Sequence, residues 1–210
     1  FPCVLKTRRG GYDGKGQYVL RGERDLAKAA ELFDFGPCIL EGWVSFVKEM
    51  SVIVARNGDG ETAVFPVAEN IHVENILHQT IVPARIPEHV EERAIRYAKT
   101  LATSFSLVGT LAVEMFLTED GEIYINELAP RPHNSGHYTI NACATSQFAQ
   151  HIRAVCNWPL GSTELLKPAV MVNILGEHVE SIIRQIDAFA GATYVHLYGK
   201  HEAKPKRKMG

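Results

Sequence analysis

The sequence has little cysteine, no long apolar run and almost no net charge, and each shortage excludes something. Its four cysteines (Cys3, Cys38, Cys143 and Cys156) lack the close paired spacing of a zinc site or a redox motif. They are expected to be buried free thiols in a reducing compartment. No stretch approaches the roughly 20 consecutive apolar residues of a helical membrane span. A net charge of −2 supplies no global field to recruit nucleic acid or an anionic membrane. The opening residues FPCVLK lack the charged-then-apolar order of a signal peptide, so a cytoplasmic location is expected. Internal repeats and low-complexity linkers are lacking too.

What remains is the composition of an ordinary globular protein, 46% hydrophobic and 22% charged over 210 residues. That length suits one large domain or a domain plus a lobe. A strand is expected at the first residues and no terminating element follows RKMG, so the chain reads as part of a longer polypeptide.

The stretch 109–137, GTLAVEMFLTEDGEIYINELAPRPHNSGH, carries the most chemistry. Residues 110–118 alternate, with Leu111, Val113, Met115 and Leu117 on one face and Ala112, Glu114 and Phe116 on the other. Residues 123–128 form a second β-rich run, and Asp120-Gly121 between them is a two-residue hairpin signal. That turn sets Glu114 directly opposite Glu127, with Cβ atoms about 5 Å apart. Like charges so placed destabilise a sheet unless they share a proton, face open water or hold a cation between them. Ala112, Phe116 and Ile125 on the same expected face are apolar, which disfavours open water. Hard carboxylate oxygens on rigid strands suit magnesium carried by nucleotide phosphates, so the hairpin is a candidate Mg-ATP platform.

Elsewhere the pattern predicts strands at 1–6 and 17–21 around TRRGGYDGKGQ, whose four glycines let backbone N–H groups approach an anion. This loop is neither a Walker A nor a dinucleotide fingerprint. A helix is predicted at 23–35, an apolar strand with a buried carboxylate (Glu41) at 38–44, and a hairpin pairing 48–56 with 61–68. Glu49 and His72 fall at the outer ends of that pair. Helices are predicted at 88–106, 146–157 and 177–189, and strands at 169–175 and 194–200. Antiparallel hairpins mixed with helices indicate an α+β fold. The basic end KHEAKPKRKMG suits a solvated tail, a nuclear import signal or a phosphate clamp.

Together VLKTRRGGYDGKGQ (4–17), EGWVSFVKE (41–49), the His72 region, VEMF (113–116), NELAPRPHNSGHYT (126–139) and YGK with RKMG (198–210) resemble the ATP-grasp superfamily. Within it they resemble the 5-(carboxyamino)imidazole ribonucleotide synthases, ATP-dependent carboxylases of purine biosynthesis. The resemblance covers essentially the whole chain and implies an ATP-grasp fold, a mostly antiparallel sheet with flanking helices. It makes residues 1–40 the end of the lid subdomain and 41–210 the large subdomain. The family's N-terminal domain, the first part of its lid and a small C-terminal β segment are then absent.

The resemblance also implies roles. Lys6 binds ATP phosphates, and Gly11, Tyr12, Asp13, Gly14, Lys15, Gly16 and Gln17 form a mobile loop over them. Glu41, Gly42, Trp43 and Val44 are the hinge whose backbone meets adenine, and Glu49 meets the ribose. His72 and Asn126 contact the nucleotide, and Glu114 and Glu127 hold Mg2+. Strict alternation turns Asn126 away from Glu127, so its contact needs a bulge or its carbonyl. Many relatives carry a further metal-binding Asn where Ala129 stands here, which leaves the metal count open. The implied reaction converts bicarbonate and ATP to carboxyphosphate and ADP, then passes the carboxyl group to the amine of aminoimidazole ribonucleotide. Arg131 holds bicarbonate or carboxyphosphate. His133, Asn134 and Ser135 line the amine and ribose side, with His133 as a proton acceptor, and Lys200 and Arg207 clamp the 5′-phosphate. The family implies a homodimer whose substrate contacts include the absent N-terminal domain, so the 210 residues alone are expected to be inactive or nearly so. The alternatives are an ATP-grasp carboxylase with another acceptor and an ATP-binding fragment without chemistry.

Overall fold

The computed structural model describes residues 1–11, 14–189 and 191–210; the expectations placed on Tyr12 and Asp13 lie outside them. Two antiparallel sheets organise the chain. The smaller has the order β2-β1-β3, from β1 (Cys3–Thr7), β2 (Gln17–Leu20) and β3 (Cys38–Gly42). Between β2 and β3 the expected helix is a short α1 (Leu26–Ala30) between two 3-10 turns, closed by Gly36 at φ 119°. Among the described residues, the buried core of this sheet is Leu5, Leu20 and Ala29.

The larger sheet runs β10-β7-β6-β4-β8-β9, with β5 paired to β4. Its strands are β4 (Phe46–Arg56), β5 (Thr62–Val64), β6 (Ala68–Val73), β7 (Ile76–Val82), β8 (Gly109–Thr118), β9 (Ile123–Ala129) and β10 (Ala169–Val172). Strand β7 has no counterpart in the sequence expectations. Its hairpin with β6 turns on Glu74 and Asn75, both with positive φ, as a tight right-twisted hairpin requires. Conversely, the strand expected at 194–200 does not form. Among the described residues of that segment, Tyr198 N–H donates to the Met209 carbonyl, outside any named strand.

Period-2 alternation in β8 decides which face is which. Leu111, Val113, Met115 and Leu117 pack with Met50, Val52 and Val54 against α2 (Glu88–Ser104). That helix presents Val90, Ala94, Ala98 and Ala102, spaced four apart, so small side chains let it lie close to the sheet. On the opposite face one end is covered: Ile53, Ala112 and Ala129 pack with Tyr138, Ala142 and Cys143 from the segment containing α3 (Thr139–Ala142). Helix α4 (Gln147–Val155) follows, capped by Ser146 Oγ accepting from Ala149 N–H. The segment after β10 holds α5 (Val179–Arg184). The far end of the second face carries Glu49, Ser51, Glu114 and Phe116, and the polar loop after β9 folds back over it. The cysteines are all free, but only Cys143 is buried; Cys156 is exposed, contrary to expectation.

Candidate functional site

The site is built on the β8–β9 hairpin. Glu114 and Glu127 are directly opposite, as the sequence suggested, but the route there differs. The turn spans three residues: Thr118 N–H donates to the Glu122 carbonyl, and Gly121 takes φ 84°. That register pairs Leu117 with Ile123, Phe116 with Tyr124 and Met115 with Ile125. A bulge then leaves Asn126 without a partner and restores Glu114 to Glu127. Paired residues share a face, so Tyr124, and not Ile125, lies beside Phe116 on the carboxylate side. The bulge is the irregularity that an Asn126 contact was expected to need.

Burial first, then the charges of Glu127 and Glu49, raise the Glu114 carboxyl from its ordinary 4.5 to about 7. The negative charge is thus undercompensated by the surrounding protein. Glu49 is drawn toward His72, whose Nδ1 lies 3.0 Å from Glu49 Oε2 without the alignment of a hydrogen bond. His133 Nε2 lies 3.4 Å from Glu114 Oε1. Burial first, then the charges of Arg131 and Lys208, lower His133 to about 4, so this contact is not a charged-imidazole ion pair at neutral pH. His137 is also lowered to about 4, by burial and then by His196 and Lys208.

Among the described residues, no group of three or more His, Cys, Asp or Glu is arranged to hold a metal ion on its own. The arrangement does fit magnesium brought in by a polyphosphate. Two carboxylates face each other across paired strands, one of them raised toward neutral pH by burial and then by the other's charge, and phosphate oxygens would complete the shell.

The loop residues divide. Ser135, expected to line the substrate side, is fully buried and accepts from Ser51 Oγ at 2.8 Å. Burial therefore gives it a supporting place and not a lining one. His133 Nδ1 lies 2.9 Å from Ser135 Oγ. Asn134 and Asn173 exchange side-chain amide bonds at 2.9 and 2.6 Å, and Asn134 Nδ2 also approaches Tyr198 Oη at 3.3 Å. Arg131 is exposed, its Nη1 donating to the Pro132 carbonyl. Gln147, at the start of α4 and fully buried, holds the His133 backbone from both sides. From the basic end, Lys200 Nζ donates to the Lys208 carbonyl and Arg207 Nη1 to the Glu202 carbonyl. Lys208 is the tail cation whose charge reaches Glu114, His133 and His137. It is held there because Ile174 bonds the backbone of Met209 and Gly210. Sequence reasoning singled out none of Ser51, Gln147, Asn173 or Lys208 as site residues; only Lys208 left a trace, within the RKMG string.

Beside the glycine-rich loop, Lys6 Nζ and Glu41 Oε2 form a 2.7 Å ion pair, and Glu41 is half-exposed instead of buried. Gly14 (φ 78°) abuts the β6–β7 turn so closely that an added Cβ would sit 2.6 Å from Asn75 Cβ. Gly16 accepts from Thr7 N–H at 2.8 Å, which closes the loop at its base, and Gln17 pairs with Lys6 in the small sheet. Gly11 is as tight, since a Cβ there would meet the Lys15 carbonyl at 2.9 Å. An open cavity of about 780 Å³ is lined by Gly42, Trp43 and Val44 with Thr118, Asp120 and Tyr124. The expected hinge therefore borders a concave surface beside the hairpin.

Two family models match the chain. Residues 1–148 match the ATP-grasp domain, and residues 169–210 match the phosphoribosylaminoimidazole carboxylase C-terminal domain. The chain is 58% identical over 209 residues to the N5-carboxyaminoimidazole ribonucleotide synthase of Bacillus subtilis, covering all of this chain and 55% of that protein. It is similar to a crystal structure of an ADP complex of N5-carboxyaminoimidazole ribonucleotide synthetase, with TM-score 0.96, 68% identity and coverage of 100% and 55%. A synthase from Aspergillus clavatus, in complex with ADP and 5-aminoimidazole ribonucleotide, superposes with TM-score 0.91 at 34% identity, covering 100% and 56%. The chain spans about half the length of the curated relatives it matches.

Proposed function

The chain belongs to the ATP-grasp family, and from that premise we propose that it is the ATP- and substrate-binding part of a longer polypeptide. That polypeptide would carboxylate 5-aminoimidazole ribonucleotide with bicarbonate and ATP, giving 5-(carboxyamino)imidazole ribonucleotide, ADP and phosphate. The observation that carries the reading is the cross-strand pair Glu114–Glu127, with the loop bearing Arg131 and His133 folded against it. The names of the similar proteins support the acceptor.

Residues 1–40 would be the end of the lid subdomain and residues 41–210 the large one. Lys6 and the loop through Gly11, Gly14, Lys15, Gly16 and Gln17 would cover the phosphates, so the Lys6–Glu41 pair opens or is shared when ATP enters. The backbone of residues 41–44 would meet the adenine edge, and Glu49 with His72 the ribose side. Glu114 and Glu127, with Asn126 on the bulge between them and the turn, would hold magnesium. Magnesium, when bound, would neutralise charge on the phosphates as the γ-phosphoryl group transfers. That transfer asks mainly for positioning and charge neutralisation, and phosphorylation gives bicarbonate a leaving group. Arg131, a planar cation, would hold the planar oxyanion. Asn134, Lys200 and Arg207 would contact the ribonucleotide, joined by Lys208, whose charge already reaches Glu114. The proposal extends to a cytoplasmic homodimer; among the described residues, no helix is long and apolar enough to cross a membrane.

The test is ADP release by the full-length polypeptide with bicarbonate, with and without aminoimidazole ribonucleotide, for wild type and Glu127→Gln. Release is expected to require the ribonucleotide and to fall at least about tenfold in the variant. Turnover indifferent to the ribonucleotide would reassign the acceptor. Turnover untouched by the substitution would remove the metal role of the hairpin.

A further inference from the structure

The surroundings of His133 settle which of its ring nitrogens carries a proton. Nδ1 lies 3.3 Å from the backbone N of Ser135 and 2.9 Å from Ser135 Oγ. A backbone N–H can only donate, so Nδ1 must offer it a lone pair. A proton on Nδ1 would point at the amide hydrogen. With Nδ1 an acceptor, the Ser135 hydroxyl also gives its proton to that atom. The oxygen of Ser135 is then left to accept from Ser51 Oγ at 2.8 Å. The protons therefore run in one direction, from Ser51 to Ser135 to the imidazole, and the ring's own proton sits on Nε2, facing Glu114 Oε1 at 3.4 Å.

Every part of this relay is rigidly held. Ser51 lies on β4 directly opposite Glu114 on β8 and is 1% exposed, while Ser135 is fully buried. Gln147 fixes the histidine's backbone, accepting from His133 N–H at 2.8 Å and donating to the His133 carbonyl at 2.7 Å.

We propose that Ser51 and Ser135 are positioning residues that hold His133 in the Nε2–H tautomer, so that the imidazole meets the site as a hydrogen-bond donor. The acceptor role expected from the sequence is then closed to it: Nδ1 is turned into the protein and Nε2 has no free in-plane lone pair. In the proposed carboxylation, which this inference deepens, Nε2–H would donate to an anionic oxygen of bicarbonate or carboxyphosphate, alongside Arg131. Removal of the proton from the ribonucleotide amine falls to another group.

Two measurements on the full-length polypeptide test this. Long-range proton–nitrogen NMR correlation, with the His133 ring assigned by its loss in His133→Gln, should show Nδ1 unprotonated and Nε2 protonated. Ser135→Ala removes the shorter of the two bonds to Nδ1 and should raise the share of the other tautomer. It should also raise KM for bicarbonate while leaving KM for ATP unchanged, a split that general loosening of the fold would not produce. In the ADP-release assay, His133→Gln, which keeps an N–H donor near Nε2 but cannot act as a base, should retain activity within about tenfold. His133→Leu should lose about a hundredfold or more. A proton found on Nδ1, or equal losses in folded Gln and Leu variants, would overturn the proposal. Absence of ribonucleotide-dependent turnover in wild type would instead remove the carboxylation reading, with the tautomer still decided by NMR.

Discussion

Among single residues, Glu69 shows how a buried charge is kept in this fold. It is 4% exposed and lies on β6, two strands from the carboxylate hairpin. Burial alone would raise its carboxyl, but hydrogen bonds from Arg85, then Lys48, outweigh that and hold it at about 2. Arg85 supplies two side-chain bonds, from Nε at 3.0 Å and Nη2 at 2.6 Å, and its backbone N–H adds a third. Glu69→Gln removes the charge and leaves Lys48 without its ion-pair partner; a loss of about 1–3 kcal/mol in urea denaturation at neutral pH is expected. The folded value lies below the ordinary 4.5, so the wild-type advantage is fully present above that pH and lost as pH falls from there toward about 2. The gap between wild type and variant should therefore narrow on acidification; a gap constant between pH 6 and about 3 would refute the assignment.

At the scale of elements, two hairpins meet parts of the chain that we propose to face ligands. The β6–β7 turn, with Glu74 and Asn75 both at positive φ, sits under Gly14 of the glycine-rich loop, while Glu74 also pairs with Lys206 of the basic end. Gly14→Ala would strain a left-handed backbone by about 1 kcal/mol and drive a methyl group into Asn75. KM for ATP should rise several-fold with little change in thermal stability, and Asn75→Gly in the same chain should recover part of the loss. An unaltered KM in the single variant would mean that this contact has no bearing on nucleotide binding. The β8–β9 hairpin shows how far such elements are legible. Alternation and the Asp120-Gly121 signal located both strands and the facing carboxylates, but the turn is one residue longer and the Asn126 bulge offsets it. Two departures of one residue each cancel at Glu114–Glu127 and not at Ile125, which is carried to the other face.

Across the whole molecule the two sheets differ in how well they are buried. The large sheet has a dense core against α2, with Met50, Val52, Val54, Val113 and Met115 essentially inaccessible. Among the described residues, the small sheet buries only Leu5, Leu20 and Ala29 and leaves Phe33, Phe35 and Leu40 largely exposed. Local opening follows buried apolar contact, so amide hydrogens of β1–β3 should exchange at least about tenfold faster than those of β4 and β8 in this chain. Equal protection in the two sheets would show them to open as one unit. A lightly anchored small sheet beside a rigid large one also suits the proposed arrangement, in which the glycine-rich loop moves and the carboxylates do not.

What the sequence determined by itself was local: where apolar residues alternate or recur every third and fourth position, which turns glycine permits, and which carboxylates a hairpin sets face to face. Those properties depend on neighbours in the chain, and they located most strands and helices and the Glu114–Glu127 pair. Only the tertiary structure decided that Ser135 is buried beneath His133, that Gln147 clamps the His133 backbone, that Asn134 pairs with Asn173 across 39 positions, and that Lys208, rather than Lys200 or Arg207, brings its charge to Glu114. The Asn134–Asn173 bond, the burial of Ser135 against Ser51 and the approach of Lys208 to Glu114 join segments far apart in sequence. Such contacts are set by how the loop after β9 and the basic end fold back over the open face of one sheet, and no local pattern in the chain encodes that approach.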